Sequence, residues 1–264
     1  MTYEEALSYI HSICWKGSKL GLDRTRELLG KLNDPQKELK FIHIAGTNGK
    51  GSTAAMLSSI LEEAGYRVGL YTSPFINRFN ERMQVNHQPI PDEELAALTE
   101  YVRPHADAMA DSPTEFELIT ALAMVWFARQ NCDIVVLEVG MGGELDSTNI
   151  IDAPEAAVIA AMGMDHVKEL GPTMADIARA KAGIIKEGGR VVSYGGNPEA
   201  DEVIAAVCRS RNASLRQPDF SAIVPGDFGL EGQTFSYQGW RGLRIPLVGA
   251  FQMDNAAVVL VTVE

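Results

Sequence analysis

The sequence predicts a doubly wound α/β fold with a mostly parallel sheet, a P-loop and a small antiparallel β appendage. Short apolar runs alternate with longer helical segments through most of the chain, as in a parallel sheet that has helices on both faces. A glycine-rich loop separates the first such run from a helix. After Leu215 the pattern changes to short segments separated by glycines, which favours antiparallel strands.

The first strand and helix flank the glycine-rich loop. Residues 39–45 form a short apolar run, and residues 52–64 carry apolar side chains at helical spacing. Between them lies GTNGKGS, at residues 46–52, and residues 67–71 predict a second strand. The order of strand, loop, helix and strand is the beginning of a parallel α/β unit.

Two further helices are predicted from their N-terminal residues. Pro91 is followed by three acidic residues, 92–94, which predicts the start of a helix. The helix dipole favours negative charge at this N-terminal end. Ser112 and Glu115 fit a capping box around Pro113, so the second helix is predicted to begin at Ser112. Its apolar stripe consists of Phe116, Ile119, Ala123 and Trp126.

The remaining strands are short and apolar. Residues 133–139 contain a continuous apolar run, which is typical of a strand buried on both faces of a parallel sheet. The other predicted elements are strands at 156–160 and 190–193, helices at 173–181 and 198–211, appendage segments at 235–237 and 243–248, and a final helix at 251–264. We therefore expect an α/β core at about 38–212 and a β appendage at about 213–248.

Composition and charge narrow the class of protein. The chain has 264 residues, 46% of them apolar, and a formal net charge of −12, which argues against a nucleic-acid partner. Its first residues show no charged region followed by an apolar stretch, and it has no apolar run of 18 residues, so we expect a cytoplasmic protein without a membrane partner. Cys14, Cys132 and Cys208 are widely spaced, and we interpret them as buried free thiols.

The glycine-rich loop has the residue types that bind a phosphate group. Its glycines let successive backbone N–H groups point inward, and Lys50 adds a positive charge for the outer phosphates. The general Walker pattern needs Gly at position 44 and Ser or Thr at position 51, where this chain has Ile44 and Gly51. The hydroxyl that usually binds Mg²⁺ is therefore missing, and another residue must replace it. A tight structural turn is the alternative. The predicted nucleotide-binding residues here are Gly46, Thr47, Asn48, Gly49, Lys50, Gly51 and Ser52.

Five motifs, taken in order, resemble the folylpolyglutamate synthase family of Mur-type ligases. They are GTNGKGS (46–52), TSPFINRFNERM (72–83), EVGMGGELDSTN (138–149), MDHVKELGPT (164–173) and KAGIIK (181–186). The resemblance implies that residues 1–264 are a Mur-type ATP-binding domain and that the family's C-terminal ligase domain is absent. It also implies a monomeric ligase that adds L-glutamate to dihydropteroate, to the γ-carboxyl of folates, or to both, through an acyl phosphate.

The resemblance also implies ATP and two Mg²⁺ ions as cofactors. Carboxylate and triphosphate are both anions, so two Mg²⁺ ions and a lysine would screen their repulsion. The matching metal ligands are Ser73, Glu138, His166 and Lys181, the last of them carbamylated, and the matching catalytic residues are Lys50, His166 and Lys181. Glu138 also stands out by itself, because a carboxylate at the end of an apolar strand is costly without a partner. A salt-bridged acid at 138 and a solvated lysine at 181 are the alternatives.

Other motif positions match substrate and nucleotide contacts. LGLDR, residues 20–24, resembles a segment that lies beside the pteroate in members with dihydrofolate synthase activity. The predicted substrate residues are Gly21, Leu22, Asp23, Arg82, Thr114, Glu115, Phe116, Glu117, Leu145, Asp146 and Ser147. Gln252 and Asn255, in a segment like the family's LxGxxQxxN, match positions at the adenine end of ATP. Glu144 departs from the arginine that many relatives have there.

Three other functions were weighed against the folate ligase. A Mur-type ligase acting on a cell-wall precursor would share the phosphate loop but not TSPFINRFNERM. A nucleotide-binding fragment without turnover is the second alternative, because the closing domain is absent. A P-loop kinase or GTPase is disfavoured by Gly51, since such enzymes need a hydroxyl after the loop lysine.

Overall fold

The computed structural model describes residues 1–13 and 21–264. Two helices, α1 (Tyr3–Ser12) and α2 (Asp23–Lys31), precede the first strand. The elements that follow are β1 (Phe41–Ala45), α3 (Lys50–Glu63), β2 (Val68–Tyr71), β3 (Met83–Val85), β4 (Gln88–Pro89), α4 (Asp92–Asp107), α5 (Glu115–Arg129), β5 (Ile134–Glu138), β6 (Ala156–Ile159), α6 (Val167–Leu170), α7 (Met174–Ala182), β7 (Arg190–Ser193), α8 (Pro198–Ser210), β8 (Ser214–Arg216), β9 (Ile223–Gly229), β10 (Gly232–Tyr237), β11 (Trp240–Ile245) and α9 (Phe251–Val263).

The main sheet has eight strands in the order β4-β3-β2-β5-β1-β6-β7-β8. All strands from β2 to β8 in this order run parallel, and β3 and β4 form an antiparallel edge beside β2. The register pairs Ile44 with Glu138, so the carboxyl ends of β1 and β5 lie side by side. The loops that follow these strands therefore meet at one edge of the sheet, where ligands bind in such folds.

Helices cover both faces of the sheet, as the alternation of apolar and helical segments predicts. On one face α5 is buried on all sides between residues 117 and 127, because α1, α2 and α4 pack around it. On the other face α3 and α9 share a core with residues of the small sheet, among them Phe235 and Tyr237. The apolar stripe predicted for α5 thus belongs to a fully enclosed helix.

The predicted start of α5 at Ser112 is wrong. The N-cap is Thr114, whose hydroxyl accepts from Glu117 N–H at 3.3 Å while the Glu117 carboxylate accepts from Thr114 N–H at 2.7 Å. Both positions fit the capping-box pattern, but the Glu117 carboxylate that caps Thr114 N–H is also held by Arg24. The capping box is therefore formed one position after the proline.

The small sheet contains β9, β10 and β11 in antiparallel order and confirms the predicted fold class. The main sheet continues past residue 212, because β8 pairs in parallel with β7. Cys132 and Cys208 are buried free thiols, as predicted, and Cys14 lies outside the described residues. Within residues 1–13 and 21–264, no helix is both long and apolar enough to cross a bilayer.

Candidate nucleotide and substrate site

The glycine-rich loop connects β1 to α3 and is held tightly against the loop after β6. Thr47 N–H and Asn48 N–H donate to the Ala161 carbonyl at 2.9 and 3.1 Å, and the Thr47 hydroxyl donates to the Gly163 carbonyl at 2.9 Å. Gly49 has a φ of +81°, which glycine adopts at little cost, and it is the N-cap of α3. The loop thus presents the N-terminus of a 14-residue helix, a position that attracts anions.

Gly51 lies against Glu138. A Cβ placed on Gly51 would be 3.7 Å from the Glu138 carboxylate, so a Walker-type serine at this position would point towards that carboxylate. Ser73 N–H donates to Glu138 Oε2 at 3.4 Å, and Lys50 Nζ is 3.9 Å from Oε1. The structure therefore brings together three of the predicted residues, Lys50, Ser73 and Glu138, around the space that the missing hydroxyl would occupy.

Burial raises the pKa of Glu138 to about 7, although Lys50 and the Ser73 N–H both favour the ionised form. The side chain is only 5% exposed. A carboxyl group with a pKa near neutrality gains by binding a cation, because the cation replaces the hydration that burial removed.

Lys181, in the last turn of α7, reaches back to the phosphate loop. It is 2% exposed, and its Nζ donates to the Gly46 carbonyl at 2.8 Å. Burial, and secondarily the charge of Lys50, lower the pKa of Lys181 to about 8. The solvated alternative for this lysine is therefore wrong: the amine is enclosed and partly neutral near physiological pH.

His166 lies apart from the other predicted metal ligands. It is the N-cap residue of the short helix α6, with a φ of +47°, and its ring is 44% exposed and 3.5 Å from Asp165. No hydrogen bond or ion pair joins it to Glu138 or Lys181 in the described part of the chain. Likewise, no three His, Cys, Asp or Glu side chains of the described residues converge on a metal-sized site.

Gln252 and Asn255, on the first turns of α9, contact the phosphate loop itself. Gln252 Nε2 donates to the Ser52 hydroxyl at 3.3 Å, and Asn255 Nδ2 donates to Gln252 Oε1 at 3.0 Å. A Cβ on Gly49 would be 2.6 Å from Asn255 Oδ1. Both amides are buried, so they support the turn at Gly49 from behind.

A second group of predicted residues lies around Arg24, which was not itself among the predicted site residues. Arg24 donates to both oxygens of Glu117 at 2.8 and 2.9 Å, and Glu117 also caps α5 through Thr114. The only sequence signal for Arg24 was its place in LGLDR. Leu20, the first residue of that segment, lies outside the described residues.

The other residues of this group differ in exposure. Gly21 and Leu22 are partly buried just before α2, whereas Asp23 is 99% exposed and pairs with Arg26. Glu115 lies 3.0 Å from His11 Nδ1 and is partly buried. Asp23 therefore points to solvent, away from Glu117.

Phe116 and Arg82 face the strand ends on the side of β2. The Phe116 ring is 6.1 Å from the Tyr71 ring, and a Cβ on Gly140 would be 2.5 Å from its edge. The Arg82 guanidinium lies 5.3 Å from the ring centre of Phe75. Aromatic rings and a guanidinium group of this kind are suited to contact a flat conjugated ligand.

The loop after β5 carries the last predicted substrate residues. Asp146 is buried and accepts from Met141 N–H at 2.9 Å and from Thr148 N–H at 3.0 Å. Burial raises its pKa, against these hydrogen bonds. Ser147 is also buried, 2.7 Å from the Thr120 hydroxyl, whereas Leu145 is 44% exposed. Asp146 and Ser147 thus shape the loop, and Leu145 is the side chain that it presents outward.

The chain is similar to several known proteins along nearly its whole length. The chain is 41% identical over 272 residues to "Dihydrofolate synthase/folylpolyglutamate synthase" of Bacillus subtilis, which covers 99% of this chain and 63% of that protein. It also resembles the solved structure "FPGS-AMPPCP-folate complex", with a TM-score of 0.93, 39% identity, and coverage of 99% of this chain and 66% of that one. A Mycobacterium tuberculosis folylpolyglutamate synthase complexed with ADP and AMPPCP gives a TM-score of 0.88, 32% identity, and coverage of 99% and 62%.

The chain therefore spans a little under two thirds of the length of these relatives. Residues 44–263 match the family model described as the Mur ligase middle domain. This match includes the phosphate loop, Glu138, Lys181 and all of α9, and it covers well over half of the chain. The chain belongs to the Mur ligase middle domain family.

Proposed function

We propose that this chain is the ATP-binding part of an amide ligase that adds L-glutamate to dihydropteroate, to the γ-carboxyl of folates, or to both. The reaction transfers the γ-phosphoryl group of ATP to a substrate carboxylate, and the amine of glutamate then displaces phosphate from the acyl phosphate. The observation that carries the proposal is the placement of Gly51 against Glu138, beside Ser73 and Lys50.

The phosphate loop supplies the nucleotide site. Residues 46–52 present the N-terminus of α3 to the phosphates, and Lys50 adds the positive charge that a transferring phosphoryl group needs. Gln252 and Asn255 keep Gly49 in its left-handed conformation from behind the loop. Their contacts support an effect on nucleotide affinity through the loop, in addition to any contact with the adenine.

The residues around Glu138 fit Mg²⁺. Hard cations bind carboxylate and hydroxyl oxygens, and Glu138 is a buried carboxylate whose pKa of about 7 leaves it in need of a cation. Ser73, whose backbone already contacts Glu138, has the hydroxyl that Gly51 lacks. Bound Mg²⁺ would neutralise charge on the phosphates. His166 enters this set only if the loop that carries it moves, since it is exposed beside Asp165.

Lys181 supports a second cation site in its carbamylated form. Carbamate forms when the neutral amine adds to carbon dioxide and releases a proton, and the lowered pKa of about 8 raises the neutral fraction. The product is an anion, which would replace a buried cation beside Lys50 by a favourable charge pair. The proposed site thus contains a carbamylated Lys181 and two Mg²⁺ ions.

The contacts of Arg82 with Phe75 and of Phe116 with Tyr71 support the folate part of the proposal. A pterin is flat and conjugated, and aromatic rings with a guanidinium group are suited to such ligands. Leu145 is exposed on the loop after β5 and offers a further apolar side chain. Small molecules are therefore the proposed partners, with the protein acting as a cytoplasmic monomer.

One experiment separates this proposal from a nucleotide-binding unit without turnover. The chain is incubated with MgATP, L-glutamate and dihydropteroate, while release of ADP and formation of the amide are followed. Coupled release of both products supports the ligase, and tight MgATP binding without amide formation supports the second function. Failure to bind MgATP would contradict both. The matched variant Glu138→Gln should bind MgATP at least tenfold more weakly, since it cannot hold the cation.

A further inference from the structure

The loop between β5 and β6 is joined to the end of α7 by hydrogen bonds in both directions. Glu144 N–H donates to the Ala180 carbonyl at 2.8 Å, and Lys186 Nζ donates to the Asn149 carbonyl at 3.3 Å. In the sequence, Lys181 lies between Ala180 and Lys186, the two residues that make these hydrogen bonds. The loop that carries the predicted substrate residues therefore packs on the turn that carries Lys181.

Two glycines make this contact backbone against backbone. A Cβ on Gly143 would be 2.9 Å from the carbonyl oxygens of Ala180 and Lys181. A Cβ on Gly183 would be 2.3 Å from the Cβ of Glu144. Because no flexible side chain separates the two segments, a displacement of one is transmitted directly to the other.

Asn149 closes this contact with its side chain. It is 5% exposed, and its Nδ2 donates to the Glu144 carbonyl at 3.0 Å and to the Gly183 carbonyl at 3.3 Å. Both partners are acceptors, so they determine which end of the amide faces them. The Oδ1 atom has no hydrogen-bond partner among the described residues. A buried oxygen without a partner is costly, and the two hydrogen bonds donated by the amide offset that cost.

We propose that Asn149 is a positioning residue for Lys181: it clamps residues 140–149 to the end of α7 and so holds Lys181 Nζ on the Gly46 carbonyl. Asn149 bonds the Gly183 carbonyl, two residues after Lys181, and Lys181 in turn bonds the Gly46 carbonyl of the phosphate loop. The importance of Lys181 for ligation rests on the proposed function, whereas its placement by Asn149 does not.

The test measures the accessibility of the Lys181 amine. The chain and its Asn149→Ala variant are treated briefly with limiting acetic anhydride in buffer free of carbon dioxide. Mass spectrometry then gives acetylation at Lys181 relative to the exposed Lys37. Loss of the two amide hydrogen bonds should accelerate relative labelling of Lys181 about tenfold.

Arg211→Ala is the matched control. The Arg211 guanidinium also donates to the carbonyls of Gly183 and Ile185, but Arg211 is the C-cap residue of α8, and its described hydrogen bonds include none to residues 140–149. Its relative labelling of Lys181 should stay within about twofold of the parent chain. Equal acceleration in both variants would overturn the proposal, because any loosening of the helix end would then release Lys181. Unchanged labelling in Asn149→Ala would overturn it as well.

Two additions keep the test decisive. If Asn149→Ala does not fold, Asn149→Ser takes its place, because serine retains one donor. Lys181 should then be labelled faster than in the parent chain, but with a smaller acceleration than Asn149→Ala would give. Calorimetric titration with MgAMPPCP on the same samples tests the nucleotide site separately. A parent chain that does not bind MgAMPPCP contradicts the proposed function, while the labelling result still decides the role of Asn149.

Discussion

Replacing Glu138 by glutamine should change how stability depends on pH. Glu138 has a pKa of about 7 in the folded chain, against 4.5 for an ordinary glutamate. The pKa of Glu138 is raised in the folded chain, so folding favours its protonated form. Its contribution to the free energy of unfolding is therefore fully present below pH 4.5 and is lost as the pH rises through 7. A difference of about 2.5 pKa units corresponds to about 3 kcal/mol at pH 8 and above. Glu138→Gln should therefore be more stable than the parent chain by about that amount at pH 8, and by little at pH 4.5.

The assay is urea unfolding of both chains at several pH values between 4.5 and 9, without Mg²⁺ or nucleotide. Subtracting the two curves cancels every titrating group that the chains share. MgATP provides an internal control, because a cation on Glu138 should lower its pKa and stabilise the parent chain much more than Glu138→Gln at pH 8. A difference in unfolding free energy that is flat with pH would refute the desolvation of Glu138.

Three further predictions follow from single contacts. Gly49→Ala should lower the free energy of unfolding by about 2 kcal/mol, because φ is +81° and Asn255 blocks the new Cβ. Gly188→Ala is the control: its φ is +66° and its Cβ would meet open space, so it measures the cost of the backbone conformation alone. Arg24→Ala should cost about 3 kcal/mol in urea unfolding by leaving the Glu117 carboxylate buried without its partner, whereas the exposed Arg26→Ala should cost less than about 0.5 kcal/mol. Lys181→Met should be more stable than the parent chain at pH 7, because the folded pKa of Lys181 is lowered to about 8 and its buried charge is costly below that pH. That advantage should vanish as pH rises towards 10, and Lys37→Met should show no such trend.

Much of the fold could be predicted because its signals are local. The buried strand β5 is a continuous apolar run, and the glycine-rich loop lies between an apolar strand and a helix, so neither depends on distant residues. The start of α5 was misplaced because Ser112 and Thr114 both satisfy the same local pattern. The choice between them is tied to Glu117, whose carboxylate is held by Arg24, 93 residues earlier in the chain.

The site was only partly predictable, because side-chain contacts across the fold do not leave a local pattern. Gln252 and Asn255 look like polar residues on an apolar helix, and only the packing of α9 on α3 places them behind Gly49. Asp146 and Ser147 were predicted as substrate contacts, but the structure turns both inward to hold their own loop. Their role towards a substrate stays a prediction, as does that of His166.

By itself, the sequence determined the α/β class, the phosphate loop and the unusual Gly51, because spacing and residue type along the chain are sufficient for these. Only the tertiary structure decided which side chain lies beside Gly51, that Lys181 is buried, and which carbonyls Asn149 bonds. Each of these depends on contacts between residues that are distant in sequence, such as Lys181 and Gly46. Burial and distance exist only after the strands have paired, so the pKa of Glu138 and the placement of Lys181 are properties of the fold.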